Sequence, residues 1–253
     1  MRIIISPAKK MNVDIDSLGY NQLPEFVKDT EILMKYMKEL GYEDLKSIWK
    51  CNEKIANLNY ERIRKMDLYR NLTPAILSFE GIQYQYMGPS VFETDEYAYI
   101  EKHLRILSGF YGILCPFDGV IPYRLEMEAK LKVYDFNSLY EFWNNKIADK
   151  LFSESHCIVN LASKEYSKCI SSYLNEKIHF VTCVFGEMNG EKIIEKGTLV
   201  KMARGEMVRF MAENKIENVE GIKRFNRLNY VFEDHLSDQD TFVFLRKENK
   251  NAK

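Results

Sequence analysis

Two short runs of apolar, mostly β-branched residues stand out in this chain, and each ends in a cluster of polar residues. Residues 2–6 read Arg-Ile-Ile-Ile-Ser before Pro7, and residues 157–161 read Cys-Ile-Val-Asn-Leu before Ala-Ser-Lys-Glu-Tyr. A short apolar run bounded by turn signals is typical of a strand buried on both faces. We therefore expect short buried strands that bring polar side chains to the rim of a sheet, where sites are often built.

Helical and strand patterns account for most of the remaining sequence. Amphipathic helices are predicted at residues 24–40, 43–51, 53–66, 95–104 (capped by Thr94), 138–152 and 198–215, with another starting at Ser163. Further strands are predicted at 178–185, 191–194, 230–233 and 241–245, and residues 104–127 are predicted to form strand, turn, loop and strand. No repeat or linker interrupts the chain, so we predict a single α+β domain over 1–253, with short buried strands surrounded by amphipathic helices.

Charge and cysteine content limit the classes of function. The 36 Lys and Arg residues nearly balance the 37 Asp and Glu residues, so the net charge of -1 gives no global attraction to nucleic acid or an anionic membrane. Any polyanion site must then be a local patch. Five cysteines without CxxC spacing favour a reduced, cytoplasmic protein. No stretch approaches the roughly 20 apolar residues of a membrane span, so we expect no membrane association.

Searches for common catalytic and metal-binding motifs find none. The chain has no GxGxxG, GxxxxGK[ST], HExxH or GxSxG pattern. Its four histidines are far apart, and none has a second His or Cys at ligand spacing. We therefore expect neither a metal nor a cofactor.

Polar residues at the strand ends are the most informative candidates for a site. If these ends converge, Lys9, Arg105 and Lys168 would line a cationic cleft suited to phosphate, with the hydroxyls of Ser6, Ser163 and Tyr166. The alternative, polar residues that only cap helices and pair with nearby acids, carries equal weight from sequence alone.

Three further segments could contribute charge to such a cleft. Residues 122–127 alternate like a strand, which would place Arg124 and Glu126 together on one face as an ion pair or as an acid and an anchor. Residues 201–209 place basic side chains along one side of a helix, and Gly205 would allow a backbone or ligand to approach. Residues 46–70 hold seven basic residues against three acidic ones in a predicted helical hairpin, at about 43–66. A helix-hairpin-helix can present backbone N–H groups to DNA phosphate, although its usual glycines are absent here.

Several long motifs carry a family resemblance. They are ISPAKKM at 5–11, HLRILSGFYGILCPFDGVIPYRLEM at 103–127, LYEFW at 139–143, NLASKEYSK at 160–168 and KMARGEMVRF at 201–210. Together they resemble the YaaA peroxide-stress protein family of bacteria. The resemblance implies a cytosolic protein of the peroxide response that limits damage from unincorporated iron, and a fold peculiar to the family. It also implies DNA binding through a positively charged cleft and a helix-hairpin-helix, but no catalytic residues.

Two hypotheses follow. The first is a DNA-binding protein without strong sequence preference, whose expected phosphate contacts are Lys9, Lys10, Lys50, Lys54, Arg105, Arg124, Lys168, Lys201, Arg204 and Arg209. The second is an enzyme acting on a nucleotide, nucleic acid or other phosphorylated substrate, with Ser6, Lys9, Tyr111, Tyr123, Glu126, Ser163 and Tyr166 as candidate acid, base or positioning groups. The oligomeric state stays open.

Overall fold

A computed structural model of the chain describes residues 1–247. The predicted domain extends to residue 253, and its last six residues lie outside the described part. The confirmed fold class is α+β, with a mixed central sheet and helices packed around it. No helix within 1–247 is both long enough and apolar enough to cross a bilayer.

Twelve strands occur in the described part of the chain. They are β1 (Arg2–Ile5), β2 (Lys10–Met11), β3 (Thr73–Pro74), β4 (Phe79–Glu80), β5 (Leu104–Ser108), β6 (Gly112–Leu114), β7 (Gly119–Val120), β8 (Cys157–Leu161), β9 (His179–Asn189), β10 (Lys192–Ile194), β11 (Tyr230–Phe232) and β12 (Thr241–Arg246). The main sheet has the order β11-β12-β9-β8-β1-β5-β6, and β10 pairs with β9. Strands β12, β9, β8, β1 and β5 are parallel, whereas β11, β10 and β6 are antiparallel additions.

Eleven α-helices surround these strands in residues 1–247. They are α1 (Val27–Glu39), α2 (Tyr42–Trp49), α3 (Glu53–Lys65), α4 (Ala75–Ser78), α5 (Ile82–Met87), α6 (Thr94–His103), α7 (Leu139–Trp143), α8 (Lys146–Glu154), α9 (Lys164–Ser171), α10 (Gly197–Glu213) and α11 (Val219–Ile222). The predicted helical hairpin is confirmed as α2 and α3. The structure also confirms the hairpin of β9 and β10 around Asn189-Gly190 and the closing pair of β11 and β12.

Three local predictions were wrong. The single helix predicted over 138–152 is two helices, because Asn144 has φ 45° and interrupts the helical path between α7 and α8. Helix α6 begins one residue earlier than predicted: Thr94 lies inside it, and Glu93 is the N-cap, forming a capping box with Glu96. Residues 122–127 are not a strand, although burial alternates along them as predicted and Tyr123, Leu125 and Met127 are all buried.

The order of the parallel strands creates a switch point between β1 and β8. The chain leaving β1 returns to the sheet as β5 on one side, whereas the chain leaving β8 returns as β9 on the other. Where two neighbouring parallel strands send their connections in opposite directions, a crevice opens beyond their carboxyl ends. Ile5 pairs with Leu161 in the last step of the β1–β8 register, so the polar residues that follow each strand leave the sheet side by side.

Candidate functional site

A pocket of about 430 Å³ occupies this switch point. Its walls come from the segments after β1 and β8, from α5 and α10, and from the loop that contains Glu126. The lining residues are Ser6, Pro7, Ala8, Lys9, Gly81, Ile82, Gln83, Tyr84, Glu126, Ser163, Glu165, Tyr166, Lys201 and Arg204. The structure thus brings together many of the candidates, from segments far apart in the sequence.

Two serines join the strand ends at the base of the pocket. The Ser163 backbone N–H donates to Ser6 Oγ at 2.8 Å, and Ser6 Oγ donates to Ser163 Oγ at 3.2 Å. Tyr84 of α5 donates its hydroxyl to the Ser6 carbonyl at 2.9 Å. Ser163 is the N-cap residue of α9, so the positive end of that helix lies beside these hydroxyls. The arrangement is a set of fixed hydrogen-bonding groups at a helix N-terminus.

Arg204 is the distinctive cation of the pocket. Its guanidinium is mostly buried, and burial lowers its pKa. Within residues 1–247, no carboxylate lies within ion-pair distance of the Arg204 guanidinium, and Arg204 Nε has no hydrogen-bond partner. Gln83 on the facing helix is also buried, and its amide Nε2 likewise has no partner in the described chain. Gln83 Nε2 and Arg204 Nε are therefore two buried hydrogen-bond donors, on residues that line one pocket, without an acceptor in residues 1–247.

Gly205 explains the close packing of α5 and α10, the helices that carry Gln83 and Arg204. A Cβ atom at this position would stand 2.1 Å from the Gln83 carbonyl oxygen and 2.9 Å from the Met87 nitrogen. The missing side chain lets the backbone of α10 pack directly on α5. The sequence predicted a close approach at Gly205, and the approaching group is the α5 backbone.

Glu126 links the pocket to the helical hairpin. Its Oε1 lies 3.4 Å from Lys9 Nζ and 3.3 Å from Arg124 Nη2. Arg124 Nη2 also donates to the Trp49 carbonyl, at the end of α2, at 3.4 Å. The ion pair of Arg124 and Glu126 matches one of the two sequence alternatives. These contacts place the turn between α2 and α3 next to the pocket.

Three titratable groups that line the pocket, Tyr84, Glu165 and Tyr166, have pKa values raised by burial. Burial raises the pKa of Glu165, whose Oε1 accepts a hydrogen bond from the Glu128 backbone N–H at 3.2 Å. Burial also raises the pKa of Tyr166 well above its ordinary value, so its hydroxyl stays protonated at neutral pH. The pocket therefore combines cations, hydroxyl donors and a carboxyl group that holds its proton more tightly than usual.

Other candidate residues lie outside the pocket lining. Arg105 is buried in β5 and binds Glu154 Oε2 through Nη2 at 2.7 Å. Lys168 stands 4.6 Å from the ring centre of Tyr140, Lys10 binds Glu80 at 2.6 Å, and Arg209 binds Glu213 at 2.7 Å.

The remaining candidates are either core residues or belong to the hairpin. Tyr111 and Tyr123 are buried, Tyr123 shares a hydrogen bond with Ser108 at 2.7 Å, and the hydroxyl of Tyr111 accepts from the Ile121 N–H at 3.2 Å. Lys50 and Lys54 are exposed in the hairpin.

Sequence reasoning missed the contribution of α5. Gln83 and Tyr84 lie in a segment, 71–101, that has acidic residues and no Lys or Arg, so it gave no sign of an anion site. The available signal was Gly81-Ile-Gln-Tyr, a glycine before a helix that carries uncharged polar residues. In residues 1–247, no three His, Cys, Asp or Glu side chains form a group that could hold a metal ion.

Comparisons with known proteins give a consistent result. A family model described as peroxide stress protein YaaA matches residues 1–236. A UPF0246 protein of Lachnoclostridium phytofermentans is 56% identical over 248 residues, which cover 98% of this chain and 97% of the relative. Proteins of the same description from Agathobacter rectalis and Desulfitobacterium hafniense are 54% and 55% identical, covering 98% and 97% of this chain and 99% and 98% of the relatives.

Proposed function

The chain belongs to the YaaA family of peroxide stress proteins, and from this membership we propose that it binds DNA without strong sequence preference. In the peroxide response it would thereby help to limit the damage that unincorporated iron causes. The DNA contacts are electrostatic and involve a surface that we call the basic rim, consisting of Lys9, Lys50, Lys54 and Lys201. Lys9 and Lys201 belong to the mouth of the pocket, and Lys50 and Lys54 to the hairpin.

The observation that carries this proposal is that three of the four lysines of the basic rim are exposed and have no carboxylate partner, whereas Lys9 pairs with Glu126. In the described chain, no Asp or Glu oxygen lies within ion-pair distance of the ammonium groups of Lys50, Lys54 or Lys201. The Arg124 contacts with Trp49 and Glu126 connect the hairpin to the pocket mouth. Unpaired lysines can contact phosphates without first breaking an ion pair, and they release counterions from DNA when they do so.

The turn of the hairpin supports a helix-hairpin-helix role. Lys50, which ends α2, has φ 44° and ψ 55°, the left-handed conformation that glycine usually supplies. Asn52 caps α3 by accepting a hydrogen bond from the Ile55 N–H at 3.0 Å. The tight turn therefore forms without the glycines expected of such a hairpin, and its lysine adds a charge near the position where a phosphate would bind.

Fluorescence anisotropy with a labelled mixed-sequence duplex, at salt concentrations from low to physiological, tests this proposal. The logarithm of the affinity should fall linearly with the logarithm of the salt concentration. Lys201→Ala should weaken binding to all sequences alike and reduce this slope by about one. The matched control is Lys177→Ala. Lys177 is exposed and lies just before the first residue of β9, whereas the pocket lies beyond the carboxyl ends of β1 and β8. This variant should leave the slope unchanged.

Two results would contradict the proposal. One is the absence of binding at low salt by the wild-type protein. The other is an equal loss of slope in Lys177→Ala and Lys201→Ala, which would mean that the charge of the whole molecule, and not the basic rim, determines binding.

The raised pKa of Glu165 favours a second candidate, an enzyme acting on a nucleotide or other phosphorylated substrate in the same pocket. A carboxyl group that holds its proton more tightly than usual is suited to general acid catalysis. The test is chromatographic analysis of nucleoside monophosphates and single-stranded oligonucleotides incubated with the protein between pH 5 and pH 8. Turnover that Glu165→Gln abolishes supports this candidate, and no turnover by the wild-type protein at any of these pH values contradicts it.

A further inference from the structure

The interior of the pocket contains buried hydrogen-bond donors, whereas the lysines of the basic rim are exposed. Gln83 is 7% exposed, and its Nε2 has no partner in residues 1–247. Arg204 Nε has none either, and the Arg204 side chain contacts no described carboxylate. A buried donor without an acceptor is energetically unfavourable, so such groups are rare in native proteins unless a ligand or water completes them. Two of them in one pocket indicate a ligand with acceptor atoms.

The charges of the pocket match an anion. Lys9, Lys201 and Arg204 line it together with the carboxylates of Glu126 and Glu165. Arg124 stands behind Glu126 at 3.3 Å and offsets its charge. With both carboxyl groups ionised and Arg124 included, these six groups carry a net charge of +2, which is equal in magnitude and opposite in sign to the charge of a phosphate monoester dianion. The planar guanidinium of Arg204 can bind two phosphate oxygens at once.

The pocket is larger than a phosphate group and has apolar surface that a phosphate group would not contact. Its volume of about 430 Å³ falls in the range of small-molecule sites. Pro7, Ile82, Tyr84 and Tyr166 give it apolar and aromatic surface next to the charged groups. An inorganic phosphate would leave most of this volume unfilled, whereas an aromatic base attached to the phosphate through a sugar would cover these walls.

We infer that the pocket between the ends of β1 and β8 binds one nucleoside monophosphate unit. Its phosphate lies on Arg204 and the Ser6 and Ser163 hydroxyls, and its base contacts the apolar walls. The unit is either a free nucleotide or an unpaired terminal residue of a nucleic acid. This site goes beyond the proposed DNA binding, because a paired duplex contacts the exposed rim lysines without entering the pocket.

Isothermal titration calorimetry of the full chain tests this inference. The titrants are deoxyadenosine monophosphate, deoxyadenosine and inorganic phosphate. The wild-type protein should bind the monophosphate at least about tenfold more tightly than either of the others.

Arg204→Gln should weaken monophosphate binding by at least about tenfold. Arg224→Gln removes an exposed arginine outside the pocket and should leave binding within about twofold of wild type. Gln83→Met, a near-isosteric change, should also weaken binding, and thermal melts should establish that each variant is folded.

A competition arm distinguishes the two sources of the nucleotide and separates this inference from the proposed function. Deoxyadenosine monophosphate should not displace a blunt duplex measured by anisotropy. If it displaces a duplex with an unpaired 3′ overhang, the result supports the pocket and identifies a nucleic acid end as its ligand. If it displaces neither but binds by calorimetry, the pocket takes the free nucleotide.

Three results would overturn the inference whatever the duplex does. They are no monophosphate binding by the wild-type protein at millimolar concentration, equal binding by Arg204→Gln, and equal affinity for inorganic phosphate. In each case duplex binding, measured separately, still decides the proposed function.

Discussion

At the scale of single residues, Arg204 is a side chain placed for binding at the expense of stability. Its guanidinium is mostly buried and burial lowers its pKa; the charge of Glu195 partly opposes this shift, but no carboxylate within residues 1–247 forms an ion pair with Arg204. Burying a cation without a partner is costly, and replacing such a group with an apolar side chain of similar size often stabilises a protein.

We therefore predict that Arg204→Met raises the free energy of unfolding by about 1–3 kcal/mol. In a protein of this size, each kcal/mol corresponds to a rise of roughly 2–4 °C in the melting temperature. Thermal denaturation followed by circular dichroism, with Arg224→Met as the exposed control, measures the effect. A melting temperature lower than that of the wild type would mean that Arg204 stabilises the folded protein and would contradict this prediction.

Asp118 provides a pH-dependent test away from the pocket. Burial raises the pKa of this carboxyl group to about 6, although its oxygens accept hydrogen bonds from the Gln22 amide at 2.9 Å and the Cys115 N–H at 2.8 Å. The folded state therefore holds this proton more tightly than the unfolded state does. Its contribution to stability is fully present below about pH 4 and is lost as the pH rises towards 6.

Asp118→Asn removes this titration, and the Gln22 amide can turn to present its oxygen to the new side chain. From pH 4 to pH 7, the stability of the variant relative to wild type should increase by about 2–3 kcal/mol, since each unit of pKa shift corresponds to about 1.4 kcal/mol. Urea denaturation at pH 4, 5, 6 and 7 gives this difference. A difference that does not vary with pH would show that Asp118 titrates as an ordinary aspartate.

The sequence located site residues that directly follow a strand, but it did not reveal ion pairs between residues far apart in the chain. The sequence placed Ser6 and Ser163 at strand ends and left their convergence open; they meet because β1 and β8 are neighbouring parallel strands, which carry their following residues to the same end of the sheet. Arg105 was expected beside them. It lies within β5, and its charge is offset by Glu154 on α8, 49 residues further along the chain. Neither that burial nor that pairing can be deduced from local spacing.

At the scale of elements, the contact of α10 with α5 holds the pocket in shape. We predict that Gly205→Ala destabilises the protein by at least about 2 kcal/mol, because its Cβ would overlap the Gln83 carbonyl oxygen and overpacking of this kind forces the backbone to move. The control is Gly197→Ala on the same helix, whose Cβ would meet no atom within 4 Å. It should change stability by less than about 1 kcal/mol. Chemical denaturation of both variants measures these effects, and equal stability would contradict the close packing.

The elements that could be predicted are those with strong periodicity. The spacing of apolar residues located α1, α3 and α10 within a few residues. The break between α7 and α8 could not be predicted, because apolar positions remain in phase across it and only the positive φ of Asn144 ends the first helix. Helix α5 is too short, at six residues, for periodicity to reveal it.

At the scale of the whole molecule, the order of the strands determines where the site lies. Strand β1 pairs with β5 and β8, which are about 100 and 155 residues away in the chain, and this pairing creates the switch point. The sequence predicted most of these strands but not their order, since pairing between distant parallel strands depends on the packing of the complete core. Overall charge set a related limit: a net charge of -1 gives no sign that Lys9, Lys201 and Arg204 line one pocket.

Hydrogen exchange measured by mass spectrometry, with and without a mixed-sequence duplex at low salt, tests whether the duplex binds beyond the carboxyl ends of the parallel strands. We predict that the duplex slows exchange in residues 6–10, 50–54 and 197–204, and leaves residues 172–178 at the opposite edge unchanged. Slower exchange confined to residues 172–178, or no change in any of the three predicted segments while the duplex is bound, would show that the duplex binds elsewhere on the protein.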